Sequence, residues 1–229
     1  MNILLFGATG MIGQGVLREC LLAPDVQLVA TVGRSATGVQ HPKLREIVYA
    51  DLWHYEAMEA ELAGFDAGFF CLGVSSAGMR EADYEHITYG ITLAAAETLS
   101  RLNPGMTFIY VSSAGTDSSE QGRTMWARVK GRTENAWLRL PFKAAYMFRP
   151  GVIEPLYGAR SRTTSYRIFY ALAKPLLPAL RWALPGYILT TEQIGAAMLA
   201  IARHGGPKHI LDSRDIAGVV SAQRLPPSA

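Results

Sequence analysis

Short apolar runs alternate with longer amphipathic ones along the first two thirds of the chain. Residues 3–6, Ile-Leu-Leu-Phe, are continuously apolar, which predicts a short strand buried on both faces. From Met11 to Leu22 the apolar positions Ile12, Val16, Leu17, Cys20 and Leu21 recur near helical spacing, and Pro24 stands just beyond the end. Residues 26–32 predict a second strand, 47–49 a third, and 56–62 a short helix. Residues 67–72 predict a fourth strand, followed by one long helix over 81–102 that Pro104 stops. A strand over 107–111, a helix over 124–138 and a strand over 144–148 complete the series.

Strands alternating with helices imply right-handed βαβ crossovers and a parallel sheet covered on both faces. The expected fold class is therefore α/β, a Rossmann-type doubly wound parallel sheet. After Arg149-Pro150-Gly151 the pattern changes: Pro155, Pro175, Pro178 and Pro185 stand among Arg160, Arg162, Arg167, Lys174, Arg181 and bulky apolar residues. Residues 191–203 again read as a helix, with Thr190 or Thr191 as its cap. The expected organisation is a core over residues 1–155 and a small, mainly helical C-terminal cap over 156–229, with a closing helix and strand, in the same domain.

Composition narrows the classes. With 49% apolar residues the chain can build a core, and a net charge of +3 is too mild for a nucleic-acid-binding face. Cys20 and Cys71 lie in apolar runs without metal spacing, so they read as buried free thiols. Such thiols suit a reducing compartment, and the expected location is cytoplasmic. His41, His54, His86, His204 and His209 are scattered without ligand spacing, so no metal is expected. The N-terminus lacks the basic region and cleavage site of a secretory signal. No run reaches the roughly 18 uninterrupted apolar residues of a spanning helix. The chain is read as soluble.

The chemistry begins at Gly7-Ala8-Thr9-Gly10-Met11-Ile12-Gly13, between the first strand and the first helix. That context is the one a dinucleotide fingerprint requires. Gly7 permits the tight turn, Gly10 lets backbone approach a pyrophosphate, and Gly13 lets the helix pack closely on the strand. Thr9, Met11 and Ile12 complete the loop, and the helix N-terminus offers free N–H groups to phosphates. The second strand ends in Thr31-Val32-Gly33-Arg34. An acidic residue there would accept from the adenosine ribose. Arg34 instead suits a 2′-phosphate, with Ser35 and Arg45 placed to assist, and so favours NADP(H) over NAD(H). Asp51 and Leu52 follow the third strand and could reach the adenine edge. Cys71, Leu72 and Gly73 follow the fourth and would lie along the cofactor. Arg149, Pro150, Gly151 and Val152 follow the sixth and would pass the nicotinamide end; Glu154 is a candidate for a substrate pocket.

These pieces in order, with Tyr110-Val111-Ser112-Ser113-Ala114-Gly115 and Trp126-Ala127-Arg128-Val129-Lys130-Gly131, resemble an atypical short-chain dehydrogenase/reductase. The branch they are most similar to is the Tat-interacting-protein-like group, which overlaps sequences labelled nucleoside-diphosphate-sugar epimerases. The resemblance covers roughly residues 1–155. It implies a serine, a tyrosine and a lysine acting together, with Tyr and Lys four apart on one helix face. An ammonium beside the phenol lowers its pKa and also holds the nicotinamide ribose. Ser113 matches the serine and Lys130 the lysine, which makes them the candidate catalytic pair. The position four before Lys130 is Trp126, and an indole N–H cannot shuttle a proton near neutral pH.

Three readings follow. The chain binds NADP(H) as a sensor or partner-binding module; or Tyr89, Tyr157, Tyr166 or water donates the proton; or it reduces a quinone or flavin-like acceptor that needs little protein acid. An NADP-dependent oxidoreductase for a small carbonyl, quinone or flavin is the leading expectation, with a nucleotide-sensing module as the alternative. Residues 165–177 interleave basic with large apolar residues and suit a substrate lid, a homodimer surface, an interfacial helix or a packed cap helix.

Overall fold

A computed structural model describes residues 1–160 and 186–224. The chain runs β1 (Asn2–Phe6), α1 (Met11–Leu22), β2 (Leu28–Gly33), β3 (Leu44–Val48), a 3₁₀ turn (Glu56–Met58) and α2 (Glu59–Leu62). It continues through β4 (Ala67–Phe70), α3 (Glu81–Glu85), a π-helical stretch (His86–Ile91), α4 (Thr92–Leu102), β5 (Thr107–Val111) and α5 (Met125–Trp137). After β6 (Ala144–Arg149) and β7 (Val152–Glu154) come β8 (Ile188–Thr190), α6 (Thr191–His204), β9 (Ile210–Asp212) and α7 (Ser213–Arg224).

Seven strands form one sheet in the order β3-β2-β1-β4-β5-β6-β9, and every pairing in it is parallel. β7 and β8 pair in parallel as a separate two-stranded sheet. The expected doubly wound α/β architecture is the one present. Successive residues of a strand point to opposite faces, and β1 shows the consequence. Ile3 and Leu5 join the cluster beneath α1 and α6, with Val16, Ile194 and Met198. Leu4 and Phe6 join the opposite cluster, with Leu99, Phe108 and Trp137. Trp137 is fully buried, its ring centre 4.2 Å from that of Phe108 and 5.3 Å from that of Tyr110.

The described C-terminal part does more than cap the sheet. β9 extends it beyond β6, and α6 lies along α1 at a separation that only glycine allows. A Cβ on Gly15 would stand 2.5 Å from the Cβ of Thr191, and one on Gly195 would stand 2.8 Å from Cγ of Glu19. Thr190, not Thr191, caps α6: its hydroxyl accepts from the Gln193 N–H at 3.0 Å, and the Gln193 side chain accepts from the Thr190 N–H at 2.9 Å. The Thr191 hydroxyl instead accepts from the Leu156 N–H at 3.1 Å.

Local expectations shift in three places. β3 begins three residues before the expected start and ends at Val48. It lies at the sheet edge, so Arg45 and Glu46 are exposed and the apolar run that marks a buried strand is missing. β4 stops at Phe70, leaving Cys71 and Leu72 in the following loop. The helix expected over 81–102 is widened at His86–Ile91, where the Trp53 indole stacks on His86 at 4.1 Å and fills the space beside Gly90. Residues 165–177, including Tyr166, lie outside the described residues.

Candidate functional site

A cleft of about 740 Å³ opens at the carboxyl ends of the strands, where the strand order reverses between β1 and β4. Doubly wound sheets bind ligands at this switch point, because the crossovers leave to opposite faces and part the loops. Gly7, Thr9, Gly10, Met11 and Ile12 form its floor. Gly7 has φ +78°, and a Cβ there would lie 2.6 Å from the Leu72 nitrogen, so only glycine fits. The Gly10 N–H donates to the Gly7 carbonyl at 2.9 Å and closes the turn. α1 starts directly after Gly10, which has no side chain to cap it, so the helix presents its first N–H groups to the cleft. Gly13 does not line the cleft: a Cβ on it would lie 2.1 Å from the Gly7 carbonyl oxygen, so its role is to let the helix sit on the turn.

One end of the cleft is bordered by Arg34, Ser35, Thr37, Glu46 and Leu52. Arg34 is exposed. Glu46 is held by Thr37, whose N–H and hydroxyl donate to Oε1 at 2.5 and 2.6 Å. Two residues expected here stand elsewhere. Arg45 donates to the Glu61 carbonyl at 2.9 Å and lies over the Phe65 ring, so it faces away from the cleft. Asp51 is captured by its own loop, accepting from the Trp53 N–H at 2.9 Å and pairing with His54 Nδ1 at 2.8 Å. Short acidic side chains close turns of this kind. The His54 contact, then the Trp53 N–H, hold the Asp51 carboxyl below its usual range, and the carboxylate holds the His54 imidazole above its own.

The opposite end gathers Cys71, Leu72, Gly73, Tyr84, Ser113, Trp126, Lys130, Pro150 and Gly151. β5 ends just before Ser113, whose hydroxyl is buried and has no hydrogen-bond partner among the described residues. α5 carries both Trp126 and Lys130. Burial strips water from the Lys130 ammonium and pushes its pKa down to about 8, although Glu134, one turn further, pulls it upward. Its Nζ stands 5.9 Å from the centre of the Tyr110 ring. The Trp126 indole lies across Gly115, where a Cβ would come within 3.1 Å of it. Burial pushes the Cys71 thiol well up, so it fills space and is not a thiolate.

Arg149 is not on the cleft wall. Its Nε donates to both oxygens of Glu134, at 3.0 and 3.1 Å, and a terminal nitrogen reaches the Ser118 hydroxyl at 2.5 Å. The arginine is taken up by a carboxylate that is itself fully buried. Val152 is 40% exposed and turned outward, and Ile153 lines the cleft in its place. Glu154 does not border the cleft.

The tyrosines sort equally clearly. Tyr89 lies beneath the Arg132 guanidinium at 4.7 Å. Tyr157 is exposed, donates to Glu192 at 2.7 Å and lies under Arg18 at 3.7 Å. Neither lines the cleft. Tyr84, which no sequence motif singles out, is buried and does line it. The available signal was its place in the first helix after β4, one turn before Thr88 on the same face.

A glycine turn that admits no Cβ, an uncapped helix N-terminus and an orphaned Ser113 hydroxyl fit a dinucleotide laid across the strand ends. Fold and cleft thus define a Rossmann-type nucleotide-binding protein. Residues 3–126 match the model of the NAD dependent epimerase/dehydratase family, and the chain belongs to that family.

Among relatives, "Protein FMP52-2, mitochondrial" of Scheffersomyces stipitis is 27% identical over 96% of this chain and 94% of its own length. Among solved structures, DesIV, a dTDP-glucose 4,6-dehydratase from Streptomyces venezuelae with NAD and TYD bound, superposes with a TM-score of 0.67 at 16% identity, over 97% of this chain and 80% of its own. The Saccharomyces cerevisiae short-chain dehydrogenase/reductase YIR035C gives 0.62 at 15% identity, over 93% and 95%. These two likenesses concern the fold. The cytoplasmic expectation is overturned: relatives from several fungi are named as mitochondrial proteins. Reduced thiols were a poor guide to compartment. No helix among the described residues is long and apolar enough to cross a membrane.

Proposed function

We propose that this chain is an NADP(H)-dependent oxidoreductase that reduces a small carbonyl, quinone or flavin-like acceptor, in the Tat-interacting-protein-like branch of its family. One observation supports the reading: Ser113 and Lys130 line the same cleft as the glycine turn and Arg34. The N–H groups of Met11 and Ile12 bind the pyrophosphate, with the helix dipole behind them. Arg34 pairs with the 2′-phosphate. Gly73 lets a ribose approach the backbone, and Lys130 holds the nicotinamide ribose. Ser113 spends its free hydroxyl on the acceptor oxygen. When bound, the reduced cofactor supplies a hydride to that acceptor.

A second reading rests on Trp126, which replaces the expected phenol with an indole: a dinucleotide-sensing module without turnover. Calorimetric titration with NADPH and NADH, followed by NADPH oxidation against aldehydes, quinones and flavins, separates the two. Turnover supports the oxidoreductase. Tight binding with no turnover supports the sensor, and no binding of either nucleotide overturns both.

A further inference from the structure

We propose that Tyr84 is the proton donor for carbonyl reduction, in place of the phenol that family resemblance puts at position 126. The proposal rests on the oxidoreductase reading above. Tyr84 is the one tyrosine among the described residues that lines the cleft. It also borders, with Lys130, Thr88 and Thr92, a chamber of about 10 Å³ behind the cleft wall, about the smallest space that holds one water.

The two helices that carry Tyr84 and Lys130 are clamped together. On α3, Glu81 and Glu85 stand one turn apart with Tyr84 between them. On α5, Arg128 and Arg132 stand one turn apart, and Lys130, between them in sequence, is on another face of the helix and lines the cleft. Arg128 donates to Glu81 at 2.6 Å, and Arg132 pairs with Glu85. These ion pairs bind the segment carrying the phenol to the segment carrying the ammonium, which is the juxtaposition that a tyrosine and lysine on a single helix would otherwise supply. Other charges nearby are engaged: Asp83 with Arg80 and Glu134 with Arg149. Among the described residues, Lys130 is the cation that shares the chamber wall with Tyr84, placed to favour ionisation of the phenol, and Tyr110, from β5, shares that wall as well.

The balance is simple. As hydride reaches the carbonyl carbon, the carbonyl π bond opens, and its oxygen takes the proton from the Tyr84 hydroxyl. The Tyr84 phenolate regains a proton from Lys130, and Lys130 regains one from solvent. The product is the alcohol, with the cofactor oxidised.

The test compares wild type, Tyr84→Phe and Tyr89→Phe with NADPH, NADH and a panel of aldehydes and ketones. Tyr84→Phe is expected to lower kcat by about 100-fold or more, to leave the dinucleotide Kd within about twofold, and to flatten the alkaline fall of kcat. Retained binding also reports that the variant is folded. Tyr89→Phe is expected to behave as wild type. As a second probe, replacing Tyr84 with 3-fluorotyrosine is expected to move the alkaline limb to lower pH. Wild-type turnover by Tyr84→Phe, or an unmoved limb with the fluorinated residue, overturns the proposal. Dinucleotide binding by wild type without reduction of any carbonyl overturns it too, leaving the cofactor assignment standing. Absence of dinucleotide binding removes both.

Discussion

The guanidinium of Arg149 holds the carboxylate of Glu134 one helical turn beyond Lys130, and Glu134 is fully buried. Glu134 still pulls the Lys130 pKa upward, against the burial that lowers it. Arg149→Met would leave a buried charge without its partner. It is expected to cost about 3–5 kcal/mol of stability, read from urea unfolding, and to raise the Lys130 pKa above its present value near 8.

Lys130 itself makes stability depend on pH in an uncommon direction. Its folded pKa is near 8 against 10.5 for the free side chain. Between those values the unfolded chain binds the extra proton, so stability rises as pH climbs through the window; below it the buried charge carries its full cost. Lys130→Met should therefore stabilise the protein at pH 7, by about 1–3 kcal/mol, with the advantage shrinking toward pH 10. Urea midpoints at three pH values check this. The same variant should lose dinucleotide affinity.

Gly10 and Gly13 should fail differently. A Cβ on Gly10 meets only the Gly7 carbonyl, at 3.3 Å, so Gly10→Val should stay folded while its side chain blocks the pyrophosphate. Circular dichroism should be unchanged and nucleotide binding abolished. Gly13→Ala drives a methyl to 2.1 Å from that carbonyl and should lower the melting temperature before any ligand is added.

The end of the cleft bordered by Arg34 also contains Glu46, whose charge opposes a 2′-phosphate. Arg34→Ala should weaken NADPH by roughly tenfold or more, the worth of one charge-assisted contact, and leave NADH nearly unchanged. Glu46→Gln should shift preference further toward NADPH. Equal losses for both nucleotides in Arg34→Ala would remove the role assigned to that side chain.

Much of this is legible in the sequence. The run from Ile3 through Gly13 states its strand, turn and helix by apolar pattern and glycine spacing alone, because those positions answer to local backbone sterics. Ser113 and Lys130 were legible through resemblance, and both line the cleft. Asp51 and Arg149 were misplaced because their nearest partners, Trp53 and His54 for one and Glu134 for the other, compete for them in ways that strand order does not reveal. Tyr84 was missed because its place beside Lys130 depends on ion pairs between residues 47 apart in sequence. β3 was shifted because an edge strand need not be apolar.

The glycine-lined seam between α1 and α6 has a consequence for how the glycine turn regains its shape on refolding. β1 and the glycine turn come first in the chain order of the sheet, whereas the helix that braces α1 from behind comes after six of the seven strands. Contacts of such long sequence separation form slowly, since a large loop must close first. Nucleotide binding at that turn is therefore expected to return on refolding with the slow docking of α6, and not with the first formation of α1.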